Sequence, residues 1–417
     1  MAHLGGQQFS RRAVPHRGGQ RRSEDRRAGV GDRGVRGRPA RLGSDHQSSR
    51  RAGARRQPRT LSFPAARRVL EHAIADRAFP AAVIEVGSAG QMLWREAFGR
   101  LTYDADAAVT TDDTIFDLAS LTKVIATTPL AMQQLERGVL ALDDFVSGHL
   151  AEWRGEERAD VRLRDLLAHC SGLPYWRPYY KELDPSTSLG ASGWEMYERA
   201  ICAEPLDYPP RSKSVYSDLD FILLGFIVHG RVPLADRFAR MLSQMDIVEE
   251  IQFTPPKLWH ARIAPTGIDP WRGRLLVGEV HDENAAALGG IAGHAGLFGT
   301  AAAVGSYARH LLQVLDGRAG VFRRATLEEF VTKRRDVPGS SRALGWDTML
   351  PTSSCGTKMS PRAFGHTGFT GTSLWIDPER DLYVVLLTNR VHPTRDNDAI
   401  RTVRPALHDA VIGEWPR

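Results

Sequence analysis

The chain reads as an α+β fold in which one antiparallel sheet is assembled from both chain ends, flanked by helices and interrupted by a mainly helical insert. Three observations predict this: a helix followed by a hairpin at the front, strand runs and a closing helix at the back, and between them a long stretch, residues 143–299, of helix-like segments divided by Pro, Gly and Ser clusters. No repeat period is visible. With 417 residues and 42% hydrophobic composition the chain is able to bury a sizeable core.

At the front, residues 64–76 place Val69, Leu70, Ala73 and Ile74 at helical spacing. Two strand-like runs follow, 82–86 and 91–98, joined at Ser88-Ala89-Gly90. After the turn-rich residues 104–113, Phe116 to Ser120 lead into an apolar helix that passes Met132 and Leu135 and stops at Gly138, with a kink expected at Pro129. At the back, strands are expected over 363–367, 373–376 and 382–388, with a turn at Asp377-Pro378-Glu379-Arg380 and a closing helix over 399–412.

The net charge of +6 averages two unlike segments. Residues 1–60 hold sixteen Arg, no Lys and four acids, a balance of +12, so the remainder carries −6. That tail is rich in Gly and Arg and nearly lacks aromatics, so disorder is expected, and an inert extension is favoured over a nucleic-acid arm. Residues 61–417 form the folded domain. Three cysteines without a C-x-x-C pair indicate neither a disulfide framework nor a cysteine zinc site. No transmembrane run and no signal peptide is visible, and the expectation for the chain as written is cytoplasmic, or periplasmic or secreted if its true start lies elsewhere.

Ser120-Leu121-Thr122-Lys123 sets a hydroxyl and an amine one helical turn apart at a helix start. Of the six lysines only Lys123 has a serine three residues before it. An amine so placed is able to accept or relay the serine proton, although an N-cap serine beside a solvated lysine has the same spacing. Tyr216-Ser217-Asp218 precedes an apolar helix, and a phenol beside an ammonium is expected to have a lowered pKa, which makes Tyr216 a second candidate base. Gly365-His366-Thr367-Gly368-Phe369-Thr370-Gly371 lies at a strand edge, where small residues admit a substrate backbone and the Phe369 amide is a candidate oxyanion donor. His281-Asp282-Glu283-Asn284 and His294 match no zinc spacing, and a polar network lining the cleft is the preferred reading. No metal or other cofactor is expected.

In order and spacing the three elements resemble the serine β-lactamase and penicillin-binding-protein superfamily, with its Ser-x-x-Lys, Tyr-x-Asn and Lys-Thr-Gly signatures. Residues 117–123, 166–174, 216–225 and 366–375 are similar to its class C β-lactamase-related branch, which holds serine carboxylesterases and low-mass D-Ala-D-Ala peptidases. The resemblance, from about 62 to 392, implies a β-lactamase/transpeptidase-like fold and a covalent acyl-enzyme on Ser120. It further implies proton transfers shared by Lys123 and Tyr216, and an oxyanion hole from the Ser120 and Phe369 amides, with Asp218, His366, Thr367 and Gly368 toward substrate.

Two departures bear on the substrate. Asp218 stands where the family has Asn, and an ionised carboxylate has no N–H to donate to a substrate carbonyl. His366 stands where many members have Lys, and histidine is largely neutral at pH 7. Both changes weaken recognition of penicillins or peptide C-termini, so the leading expectation is an esterase on small carboxylic esters. A D-Ala-D-Ala carboxypeptidase or β-lactamase is the alternative, and a penicillin-binding-like sensor without turnover is the alternative of another class.

Overall fold

The computed structural model describes residues 62–182 and 190–416. The tail expected to be disordered lies outside them. Helix α1 (Pro64–Ala75) leads into strands β1 (Ala81–Gly87) and β2 (Met92–Gly99), and the end of the chain supplies β3 (Asp347–Thr348), β4 (Phe364–Thr367), β5 (Ser373–Asp377) and β6 (Leu382–Thr388). They form one sheet in the order β2-β1-β6-β5-β4-β3. The union of the two chain ends is the antiparallel pairing of β1 with β6, which sets Ala82 opposite Thr388 and Val86 opposite Val384.

Every residue of β1 and of β6 is buried, which explains why these runs are almost continuously apolar rather than alternating. Leu70 of α1, with Leu407 and Val411 of the closing helix, packs with Ile84 and Val384 on one face. The other face presents Val83, Val385 and Leu387 to the main core, which includes Leu311. Glu85 points into that side of β1 with no exposure, and its carboxylate accepts from Tyr383 Oη at 2.8 Å and Arg95 Nε at 2.7 Å.

The region between the two halves is less helical than its sequence suggests. It does hold helices, such as α2 (Thr128–Glu136) at its entrance and α3 (Asp218–His229) within it, but Ile251–Phe253 and Leu297–Gly299 join Phe116–Asp117 in a second, three-stranded sheet. Strands of three residues are too short to show a period, so the sequence does not betray them. The irregularity expected at Pro129 lies before it: Lys123–Thr127 is a π turn, closed by the Thr128 N–H on the Lys123 carbonyl, and Pro129 sits in the first turn of α2. A proline has no N–H for the carbonyl four residues back, and the wider turn accommodates that loss.

Candidate active site

The turn that carries Ser120 is strained and braced from three sides. Ala119, just after Phe116–Asp117, has φ of 47°, a left-handed conformation that non-glycine residues seldom adopt. Asp117 holds it, accepting the Ala119 N–H at 2.8 Å on one oxygen and the His281 N–H at 2.7 Å on the other. Thr370 Oγ1 donates to the Asp117 carbonyl at 2.7 Å and Thr372 Oγ1 to that of Leu118 at 3.0 Å, so the glycine-rich turn after β4 is tied to the serine turn. A Cβ on Gly368 would lie 2.7 Å from the Leu118 carbonyl oxygen, which is why this approach requires glycine. From the closing helix, Arg404 Nη2 donates to the carbonyls of Gly368 at 2.8 Å and Thr372 at 2.7 Å. Among the described residues neither the Ser120 nor the Phe369 amide has an acceptor.

Two predicted residues meet at the serine oxygen. Lys123 Nζ donates to Ser120 Oγ at 3.0 Å, and Tyr216 Oη donates to it at 2.7 Å from a loop 96 residues away in sequence. Lys123 also donates to Asp218 Oδ1 at 2.7 Å and to the carbonyl of His294 at 3.0 Å. Asp218 is therefore Lys123's counter-ion, and only part of its carboxylate faces the cleft. His366 and Thr367 end β4 and, with Gly368, line a cleft of about 510 Å³ that opens at Ser120.

The family model described as Beta-lactamase matches residues 66–408. The chain belongs to the β-lactamase family. A protein of Escherichia coli (strain K12), provisionally named a D-alanyl-D-alanine carboxypeptidase, is 30% identical over 364 residues, covering 76% of this chain and 80% of its own. The class C beta lactamase of Rhodobacter sphaeroides superposes with a TM-score of 0.63 at 20% identity, covering 83% of this chain and 98% of that one. EstCE1, a hydrolase with promiscuous acyltransferase activity, superposes at 0.64 with 20% identity and the same coverages.

In this β-lactamase-family protein burial and neighbouring charges compete at the site. Burial alone would lower the pKa of Lys123, which has no exposure, but Asp218 and Tyr216 outweigh it and hold the amine above its ordinary value. The lowered pKa expected for Tyr216 is not found: burial raises the phenol above its ordinary value and outweighs the neighbouring ammonium. His366 is neutral, as expected of it. Burial, with the charges of Arg342 and Lys123 adding to it, keeps the ring neutral well below the usual range. Its Nδ1 faces the Thr367 carbonyl at 2.9 Å.

Sequence reasoning passed over two residues of this family member's site, His169 and Arg342. His169, within the 166–174 motif, is buried, has φ of 54°, and brackets Tyr216: its carbonyl accepts the Val215 N–H at 3.0 Å and its Nδ1 accepts the Ser217 N–H at 3.1 Å. The ring also packs on that of Tyr216, with centroids 4.8 Å apart. Arg342 lies in a loop without a motif, its guanidinium 5.3 Å over the Tyr216 ring. The polar network expected at Asp282 and His294 is present and lines a cleft. His294 Nε2 lies 2.8 Å from Asp282 Oδ1, and both residues line a second cleft at Ser120, of about 390 Å³. Burial would raise Asp282, but the His294 ring, the Ala285 amide and Lys123 outweigh it and hold the carboxyl well below its usual range.

Proposed function

We propose that the chain is a serine hydrolase working through a covalent acyl-enzyme on Ser120, with small carboxylic esters as its substrates. The observation that carries this reading is the convergence of Lys123 Nζ and Tyr216 Oη on Ser120 Oγ, at 3.0 and 2.7 Å. Ser120 Oγ attacks the ester carbonyl while its proton passes to the Tyr216–Lys123 pair, and the oxyanion accepts from the Ser120 and Phe369 amides. The proton then goes to the departing alkoxide, leaving an ester on Ser120. Water attacks that ester through the same groups, releases the acid and restores the hydroxyl.

Esters are favoured because Asp218 is engaged by Lys123 and has no N–H for a substrate amide, and because His366 brings no positive charge. Esters also have the better leaving group. One observation supports the second reading, a D-Ala-D-Ala carboxypeptidase or β-lactamase: among the described residues the Arg342 guanidinium has no acceptor, and it lines the cleft with Ser120 and His366. It would supply the charge that the third motif lacks. Hydrolysis of p-nitrophenyl butyrate, nitrocefin and a D-Ala-D-Ala peptide by the wild type and by Ser120→Ala tests both. Butyrate turnover that disappears with Ser120 supports the first reading, nitrocefin or peptide turnover promotes the second, and equal rates in the two proteins would sink both. A sensor without turnover would leave Ser120 inert to a fluorophosphonate.

A further inference from the structure

Ser120 stands at the meeting of two clefts. The one beyond His366 is lined by arginines, among them Arg342 and Arg404, and also by Asp347, Asp396 and Asp398. The other is walled by the aromatics Tyr175 and Trp176 and by the carboxylates of Asp218, Asp282 and Glu283.

Accounting for the partners of the carboxylates in the second cleft leaves one oxygen without a donor among the described residues. Asp218 is paired with Lys123 at 2.7 Å, and Glu283 with Arg395 at 2.7 Å. Asp282 directs Oδ1 at two donors, the Ala285 N–H at 2.7 Å and His294 Nε2 at 2.8 Å. Its Oδ2 has no partner among the described residues, and the side chain is 22% exposed in the cleft wall. His294 is buried and its Nδ1 has no partner among the described residues, so its contact with Asp282 is through Nε2 alone and leaves Oδ2 free. His281, in the same wall, is kept neutral, since burial and the charge of Arg395 push its pKa down to about 3.

An ionised carboxylate with a free oxygen, beside aromatic faces and next to the nucleophile, is complementary to a cation that brings its own N–H donors. We propose that this cleft binds a protonated amine of the substrate and that Asp282 selects it. The preferred substrates are then esters or amides of amino acids with a free amino group close to the reacting carbonyl. This inference rests on the acyl-enzyme reading of Ser120.

The test compares alanine methyl ester, in both enantiomers, with methyl isobutyrate, in which a methyl replaces the ammonium at nearly constant shape. An α-ammonium also activates an ester chemically, so the quantity read is the change in the ratio of kcat/KM values between wild type and variants. In Asp282→Asn, which keeps an oxygen for Ala285 and His294, the ratio of the better enantiomer to the isobutyrate is expected to fall about tenfold or more. In Asp282→Glu, which keeps the charge, it is expected to stay within about threefold. An unchanged ratio in Asp282→Asn, or a wild type that turns over the isobutyrate better than either alanine ester, overturns the proposal. So does a wild type that hydrolyses neither ester while Ser120 still reacts with a fluorophosphonate. A Ser120 inert to the fluorophosphonate would instead remove the acyl-enzyme reading itself.

Discussion

Lys123 Nζ lies 2.7 Å from Asp218 Oδ1, with the lysine side chain fully buried and the carboxylate 19% exposed. The pair keeps the amine protonated, since Asp218 and Tyr216 outweigh a burial effect that would otherwise lower its pKa. Tyr216 is also raised, by burial. A base acts only when deprotonated, so kcat/KM for p-nitrophenyl butyrate is expected to climb about tenfold per pH unit from pH 6 to about 9. Asp218→Asn removes the opposing charge and lets burial prevail, which moves this rise to lower pH. The variant is expected to lose about 1–3 kcal/mol of stability, because a buried ammonium loses its counter-ion but keeps an oxygen acceptor. A pH–rate profile that does not move contradicts this account of Lys123.

Asp117 gives an acid limb. Burial pushes its pKa up to about 6 against the lowering effect of the His281 and Ala119 N–H donors. Both donors need an acceptor, so protonation sets an O–H against one of them and loosens the Ser120 turn. Activity is expected to fall below pH 6. Stability responds in the opposite sense: with the folded pKa above the unfolded one, the contribution is complete below about 3.8 and is lost as pH rises through about 6, at most about 3 kcal/mol. Denaturant melts and rate profiles over pH 4–8 should therefore run in opposite directions for this group. Asp117→Asn, whose amide faces an N–H at every pH, is expected to be weakly active without that limb.

His169 is a positioning residue for Tyr216, accepting Val215 and Ser217 amides on either side of it. His169→Asn tolerates the left-handed backbone and keeps an oxygen near the Nδ1 position, so a kcat within about threefold of wild type is expected. His169→Phe keeps an aromatic against Tyr216 but leaves the Ser217 N–H unpaired, at about 1–3 kcal/mol in stability and about tenfold in kcat, with KM little changed. Equal kcat in the two variants would show that Tyr216 is held by packing alone.

The glycine-rich turn is expected to tolerate no side chain at Gly368, where a Cβ would lie 2.1 Å from Thr372 Oγ1 and 2.7 Å from the Leu118 carbonyl oxygen. Gly368→Ala should lower kcat for p-nitrophenyl butyrate by about a hundredfold, because it moves the Phe369 amide away from the serine turn. Wild-type kcat in a folded Gly368→Ala protein would remove Phe369 from the oxyanion role.

Much of this was legible in the sequence because apolar runs and motif order are local properties. The strands at both ends, the closing helix and the spacing of Ser120 to Lys123 could all be read from the residues themselves. What escaped depends on depth and partners. Tyr216 was expected to be acidified because its neighbour was evident and its burial was not. Asp218 was expected to face substrate because nothing in the sequence says that Lys123 takes one of its oxygens. The bracketing by His169 left a faint trace, a histidine inside a motif otherwise apolar or small, whereas Arg342 left none.

The account stands on Ser120 as the acylated residue. Intact-protein mass spectrometry after mixing with p-nitrophenyl butyrate, followed by peptide mapping, tests that most directly. The prediction is a transient adduct with the mass of one butyryl group on the peptide containing Ser120, absent from Ser120→Ala. An adduct on another residue, or the same adduct in Ser120→Ala, would contradict it.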